Sequence, residues 1–338
     1  MKRILLLMFL LLMQYAASSQ VIVTKTLTDS TGTTFIKDQE IMYLKTTRTW
    51  FVVPDAFQDE LKKINEILRD TWTLTDIWAI NYSAVNNVRG TNNTFFNIIA
   101  VDTMGCRCIA LRLSGYVPKD NPFIKTEGEY MFGYFYLTTD LKNLQTMERH
   151  YDANQKSGII NIGKGENTPA NRAMGNFLYN TISYYNMGWG HICSYLGVME
   201  DHLQDKTSLK RGKWGIIETK DIYGLCDLQS EPLYIPDYIF KSQQRINNKI
   251  VYDSTTVDQM MAGYNYYYKV RPVETIDKMI LNGNDTFFYL DYIFTDSFSM
   301  FVVMESGTHT IVYTHMPTTG RLTPRDFEKL SEAISLVE

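Results

Sequence analysis

Five histidines and 37 acidic side chains are the residues best able to hold a metal, and their spacing argues against it. On a helix over His191–Leu203, His191, Tyr195, Val198 and His202 share a face, yet the two histidines lie roughly 16 Å apart along the axis. His309 and His315 share a strand face roughly 20 Å apart. Glu148, His150 and Asp152 sit closer together, but they lack the paired-histidine spacing of zinc sites and read as a polar helix end. No metal or cofactor is expected. Four cysteines are too few for a disulfide scaffold. Cys106 and Cys108 alternate on one strand with Cβ atoms about 6–7 Å apart, against about 3.8 Å in a disulfide, so they are not partners. Pairing with Cys193 or Cys226, or burial as free thiols, both stay open. Cys193 does not make a nucleophile–base pair with His191, because residues two apart on a helix do not face each other.

Nucleophile and phosphate motifs are absent: there is no G-x-S-x-G elbow, H-E-x-x-H, Walker sequence or S-x-x-K. Gly163-Lys164-Gly165 lacks the glycine spacing and the Lys-Ser/Thr ending of a phosphate cradle and reads as a loop. Paired carboxylates of a glycosidase stand about 5–9 Å apart in space with no fixed spacing in sequence. A secreted hydrolase with a motif-free carboxylate site between two lobes is therefore the alternative reading. The positive signal is aromatic. Tyr264, Tyr266, Tyr267 and Tyr268 occur almost together among 23 tyrosines, and Trp189 is flanked by Gly188 and Gly190. Tyrosine joins a large apolar face to a polar tip at low entropy cost, which suits binding of proteins or sugar rings. Tyr264, Tyr266, Tyr268 and Trp189 are the candidate binding residues. In an extended register Tyr267 faces the opposite way.

The elements that would position these residues follow from local pattern. Val21–Leu27, Thr33–Lys37 and Glu40–Val53 are rich in β-branched and aromatic residues and predict an opening β-meander. After Pro54, Asp55 and Gln58 form a capping box for a helix with Phe57, Leu61, Ile64 and Leu68 on one stripe. Trp72–Asn81 follows as a strand. Phe95–Val101 and Cys106–Leu113 make a hairpin, Glu129–Leu137 a buried strand, and Thr139–His150 a short helix. Pro169–Tyr185, capped by Thr168, and His191–Leu203 are helical, with Ala173, Phe177 and Ile182 inward on the first; Lys206–Lys213 is an exposed basic loop. Strands return at Gly215–Glu218 and at Leu233–Phe240, where Pro236 predicts an edge strand or bulge. Glu274–Leu281 is a helix stopped by Gly283. Phe287–Phe294, Phe298–Glu305 and Thr308–His315 form a meander. Thr323, Pro324 and Asp326 open a closing helix that buries Phe327, Leu330, Ala333 and Ile334. Asn93-Thr94-Phe95-Phe96 and Asp285-Thr286-Phe287-Phe288 echo each other, which raises an internal duplication.

These elements predict an α+β fold: two lobes of mainly antiparallel or mixed sheet with flanking helices, joined by a helical middle segment. The divisions are a signal peptide at 1–19, an N-terminal lobe at 20–151, a loop and helical middle at 152–213, and a C-terminal lobe at 214–338. The chain has 338 residues, 45% hydrophobic and 21% charged, enough to fold around a substantial core. Its net charge of −4 offers no field for gripping phosphate backbones, so nucleic acid is not an expected partner.

At the amino terminus, Lys2 and Arg3 precede the apolar run Ile4–Met13 and the small residues Ala16, Ala17, Ser18 and Ser19, the pattern of a secretory signal cut before Ser19 or Gln20. Ten residues of helix span about 15 Å against a hydrocarbon core of roughly 30 Å, so cleavage fits better than anchoring. Without Lys2 and Arg3 the charge becomes −6. No later run is long and apolar enough for a membrane span. The Ser-Ser-Gln end of the signal, the strand–helix–Trp72 opening, the segment Leu233–Tyr238 (LYIPDY) and the closing stretch Phe287–Val337 resemble exported proteins of unknown function from Bacteroidota. That resemblance, scattered over most of the mature chain, implies a Gram-negative envelope or secreted setting and supplies no activity or catalytic residue. The expectation is a non-catalytic exported binding protein, periplasmic, outer-membrane-associated or extracellular, with an envelope protein or a glycan as partner.

Overall fold

The structure is a computed structural model and describes residues 21–22, 36, 38–88, 90, 92–103, 106–125, 127–154, 169–204, 222–246, 249–254, 256–295, 299–317 and 322–337. The expected signal peptide, residues 155–168 of the loop expected over 152–168, the basic loop Lys206–Lys213 and the strand Gly215–Glu218 lie outside these residues, and residues 152–154 of that loop instead end a helix. The first lobe comprises β1 (Val21–Ile22), α1 (Asp38–Lys45), β2 (Arg48–Val53), α2 (Leu61–Thr71), β3 (Asp76–Asn81), β4 (Asn93–Thr103), β5 (Cys106–Val117), β6 (Gly128–Leu137) and α3 (Leu141–Asn154). Then come α4 (Pro169–Asn180), α5 (Trp189–Gln204) and α6 (Ile222–Asp227). The second lobe holds β7 (Leu233–Pro236), β8 (Lys241–Ile246), β9 (Lys249–Ser254), α7 (Val257–Met260), β10 (Tyr268–Arg271), α8 (Val273–Asn282), β11 (Phe288–Phe294), β12 (Ser299–Glu305), β13 (Ile311–His315) and α9 (Pro324–Ser335). The fold is α+β, with two mixed sheets and flanking helices.

Both sheets are wound the same way. Sheet 1 runs β1-β6-β5-β4-β2-β3 and sheet 2 runs β10-β7-β11-β12-β13. β2 lies parallel to β3 on one side and to β4 on the other, as β7 does to β10 and β11, and β4–β5–β6 and β11–β12–β13 continue as antiparallel meanders; β1 adds a short antiparallel strand beside β6 in sheet 1. The echoed segments occupy equivalent places, since Asn93 begins β4 and Asp285 lies just before β11, the strands that open the two meanders. The β8–β9 hairpin belongs only to the second lobe and forms a separate two-stranded sheet.

Several local readings change in three dimensions. Glu40–Lys45 is helical, not part of a meander: Ile41 and Leu44, three residues apart, are buried together, and Asp38 and Glu40 in the first turn with Lys45 in the last suit the helix dipole. Asp55 does not cap a helix. Asp55–Glu60 is a 3₁₀ turn, and the Asp55 carboxylate instead accepts the Ser83 amide at 3.0 Å while Gln58 bonds Asn81. Trp72 ends α2 by donating its amide to Leu68, so β3 starts only at Asp76. Ala173 is exposed, and α4 buries Met174, Phe177 and Leu178. Pro236 is the last residue of an internal strand, between β10 and β11, so its missing donor interrupts no ladder beyond it. Cys108, Cys193 and Cys226 form no disulfide, and burial pushes the Cys193 thiol up to about 11.

Helix α5 lies between the sheets. Ile192, Tyr195, Leu196, Val198, Met199 and Leu203 belong to one buried cluster with Phe96, Ile98 and Phe135 of sheet 1 and Tyr289, Ile293 and Met304 of sheet 2. Helix α8 crosses α5 at two glycines. A Cβ at Gly190 would sit 2.3 Å from the Asp277 carbonyl oxygen, and one at Gly188 would sit 2.2 Å from the Asp277 carboxylate. That carboxylate takes the His191 amide at 3.1 Å, one of the donors left unpaired in the first turn of α5, and meets His191 Nδ1 at 3.0 Å. The other polar groups of this layer are also engaged. Asn186 accepts the Thr138 amide at 2.8 Å and donates to Tyr195, which donates to Asp291 of β11. Glu200 accepts the amide and hydroxyl of Thr73, and Ser194 Oγ lies 3.1 Å from His309 Nδ1.

The far face of sheet 2 packs Leu290, Phe301 and Val303 against Phe327, Leu330 and Ile334 of α9. At the start of α9, Asp326 accepts the amide and hydroxyl of Thr323 at 2.8 and 2.7 Å and meets His315 Nε2 at 2.9 Å. Burial raises the Asp326 carboxyl, and the hydrogen bonds from His315 and Thr323 more than offset this, so it lies below its ordinary 3.8.

Two expectations follow. Gly190→Ala gains roughly 1 kcal/mol in helix propensity but meets a backbone carbonyl that cannot turn aside, so a net loss of about 1–3 kcal/mol is expected in urea unfolding. Asp326→Asn costs about 1–2 kcal/mol at neutral pH. Because the folded carboxyl titrates below the unfolded one, its stabilisation is complete above about pH 3.8 and is lost as pH falls through the folded value. Urea midpoints of wild type and variant therefore converge below pH 3.8, measurable by circular dichroism.

Candidate functional site

Strands β2 (RTWFVV) and β3 (DIWAIN) carry the same pattern, a charge, then an apolar or small residue, then tryptophan, and they show the same alternation of exposed and buried residues. Thr49, Phe51, Ile77 and Ala79 turn to the interior. Arg48, Trp50, Asp76 and Trp78 share the other face, and the parallel register sets Arg48 beside Asp76 and Trp50 beside Trp78. At the strand starts, a buried chain of hydroxyls fixes that register: the Trp72 indole donates to Thr75 at 2.8 Å, Thr75 bonds Thr49, and Thr49 and Thr47 bond Thr94 at 2.9 and 3.2 Å. Each such bond contributes about 1 kcal/mol net.

The result is an aromatic ledge with charged fittings at the edge of sheet 1. Asp76 accepts the Trp78 indole N–H at 2.8 Å through one carboxylate oxygen and Arg48 Nε at 2.9 Å through the other. Arg48 lies 5.9 Å from the Trp50 ring centroid, and Arg69, reaching from α2, lies 4.3 Å from that of Trp78. Cation–π contacts of this kind contribute about 0.5–1 kcal/mol at exposed sites and hold the rings in one orientation. The Arg48 and Asp76 side chains are 53% and 50% exposed, and both tryptophans are half-buried.

The four aromatic residues singled out by sequence fall into two places. Trp189 is half-buried and packs on Phe51 and Phe57 at 5.7 and 6.2 Å between ring centroids, in the core shared by both sheets. Its glycine neighbours serve the approach of Asp277. Tyr264, Tyr266 and Tyr268 do share one side, with ring centroids 5.9 and 6.2 Å from that of Tyr264, but they form the rim of the outer core of sheet 2. Tyr264 is buried against Phe327, and burial raises its phenol far above the usual range. Tyr267 faces the other way and is 58% exposed. Sequence reasoning passed over Trp50 and Trp78. The signal that would have found them is the repeated charge-x-Trp of two short strands, with opposite charges at the matching position.

Between the sheets the carboxylates Asp277, Asp291 and Glu200 are each engaged by a neighbouring side chain. Asp277 holds His191, Asp291 holds Tyr195, and Glu200 holds Thr73. Burial lowers the His309 imidazole, an effect that Asp201 opposes, and burial brings His202 down to about 4. Among the described residues no three His, Cys, Asp or Glu side chains are grouped to hold a metal ion, and no helix is long and apolar enough to cross a membrane. No protein-family model, curated protein or solved structure matches this chain. The site must be read from its own chemistry.

Proposed function

We propose that this chain is a non-catalytic, exported binding protein of the cell envelope, and that it binds glycan at the Trp50–Trp78 ledge. The observation that carries the reading is the pair of half-buried indoles side by side on β2 and the edge strand β3, with the Arg48–Asp76 pair beside them. A pyranose ring presents a flat face of C–H groups that stacks on an indole, and its rim of hydroxyls takes paired donors and acceptors. The ledge supplies both kinds of contact. A folded protein partner would bury about 800 Å² per side, with a cluster of apolar or aromatic side chains at its centre. The large hydrophobic side chains exposed among the described residues, Met42, Tyr223, Tyr267 and Leu336, are scattered over different elements and make no such cluster. The export half of the reading rests on the charged, apolar and small-residue pattern of residues 1–20.

Two measurements test the two halves. In titration calorimetry with hexasaccharides of neutral and of uronic-acid sugars, Trp78→Ala and Trp50→Ala should each weaken binding about tenfold, the equivalent of about 1.4 kcal/mol per ring. Unchanged affinity in the double variant would refute the ledge. Expressed from its full gene in a Gram-negative host, the protein should be recovered outside the cytoplasm with Ser19 or Gln20 as its first residue. Recovery in the cytoplasm with Met1 intact would remove the export reading.

A further inference from the structure

The common winding of the two sheets allows their edges to be compared position by position. In sheet 1, Phe51 pairs with Phe96 on one side and Ala79 on the other. In sheet 2, Leu233 pairs with Phe288 and Tyr268. Setting the echoed phenylalanines Phe96 and Phe288 on each other makes Ala79 equivalent to Tyr268, and therefore Trp78 equivalent to Tyr267. The ladder supports this placement, because the Tyr267 carbonyl accepts the Leu233 amide at 3.0 Å and so continues the pairing one residue before β10.

The equivalence extends to chemistry. Trp78 carries a cation on its ring in Arg69, and Tyr267 carries one in Lys269, whose Nζ lies 5.3 Å from the Tyr267 ring centroid. The same ammonium lies 5.4 Å from the Tyr234 centroid and 3.5 Å from its hydroxyl. Tyr234 stands one row further along than Trp50 does, since it is equivalent to Val52. Each edge thus offers two aromatic rings with a cation between or upon them and hydrogen-bonding groups beside them. Tyr267 is the most exposed ring of the pair of edges, although nothing in the core requires a tyrosine there.

We propose that Tyr267, Lys269 and Tyr234 form a second glycan subsite at the edge of sheet 2, with Tyr267 in the place that Trp78 takes on the ledge of sheet 1 and with Lys269 and Tyr234 proper to sheet 2, so that one chain binds two sugar segments. This rests on the ledge being a glycan site, and the experiment separates the two. Titration of the full mature chain with cellohexaose (neutral) and hexagalacturonate (acidic) should give two binding events per chain with at least one of them. Tyr267→Ala with Lys269→Gln, at an exposed and a half-buried position, should reduce this to one event at the affinity of the ledge, and Trp50→Ala with Trp78→Ala should leave the other. One event per chain, abolished by the tryptophan pair and untouched by the Tyr267–Lys269 pair, would overturn the second subsite alone. No event with either sugar would overturn both readings. A circular dichroism spectrum matching wild type shows that each variant is folded.

Discussion

Helix α5 lies between two sheets with only Asp201 and Gln204, in its last turn, exposed to solvent, and this constraint shapes the rest of the molecule. Its neighbours must come close without a void, and the buried polar groups along it find partners inside the protein, with His202 Nδ1 the exception. Gly188 and Gly190 allow the backbone of α8 to reach the first turn, and Asp277 then supplies the acceptor which that turn lacks. Glu200 ties the far end of α5 to Thr73 of the first lobe, and Tyr195 ties its middle to Asp291 of the second. The segment that reads as a connector in sequence is thus the common core of both lobes.

The two sheets meet this helix with faces that do not correspond. In sheet 1 the Phe96 face packs toward α5, whereas in sheet 2 the equivalent Phe288 faces outward to α9 and the Phe287–Tyr289 side packs on α5. The repeats are therefore stacked in the same sense, not related by a two-fold axis through α5. Strand β3 and the residue before β10 set Trp78 and Tyr267 at corresponding edges of the two sheets, while Trp50 of β2 and Tyr234 of β7 lie one strand further in.

Elements with strong local signals were legible. The closing helix, with Thr323, Pro324 and Asp326 at its start, and the β11–β12–β13 meander came directly from pattern, as did the β4–β5 hairpin and α8 with its left-handed Gly283. Glu40–Lys45 was misread because Ile41 and Tyr43 carry strand propensity, and what decides helix is that Tyr43 and Leu44 are both buried in the packed lobe. The candidate site divided the same way. Clustered tyrosines caught the eye, yet burial claimed Tyr264 and left Tyr267, while Trp50 and Trp78 lie 28 residues apart and become neighbours only through the β2–β3 register.

By itself the amino-acid sequence determined the class of fold, the order of many elements, the alternation that sends Arg48, Trp50, Asp76 and Trp78 to one face of their strands, and an amino-terminal export pattern. These follow from periodicities of two and 3.6 residues and from end signals, all of which act within a few positions along the chain. Only the tertiary structure decided that β2, β3 and β4 run parallel, that α5 is enclosed, that Gly188 and Gly190 exist for Asp277, and which aromatic rings stay at the surface. Those outcomes depend on contacts between residues far apart in sequence, where burial and close approach outweigh local preference.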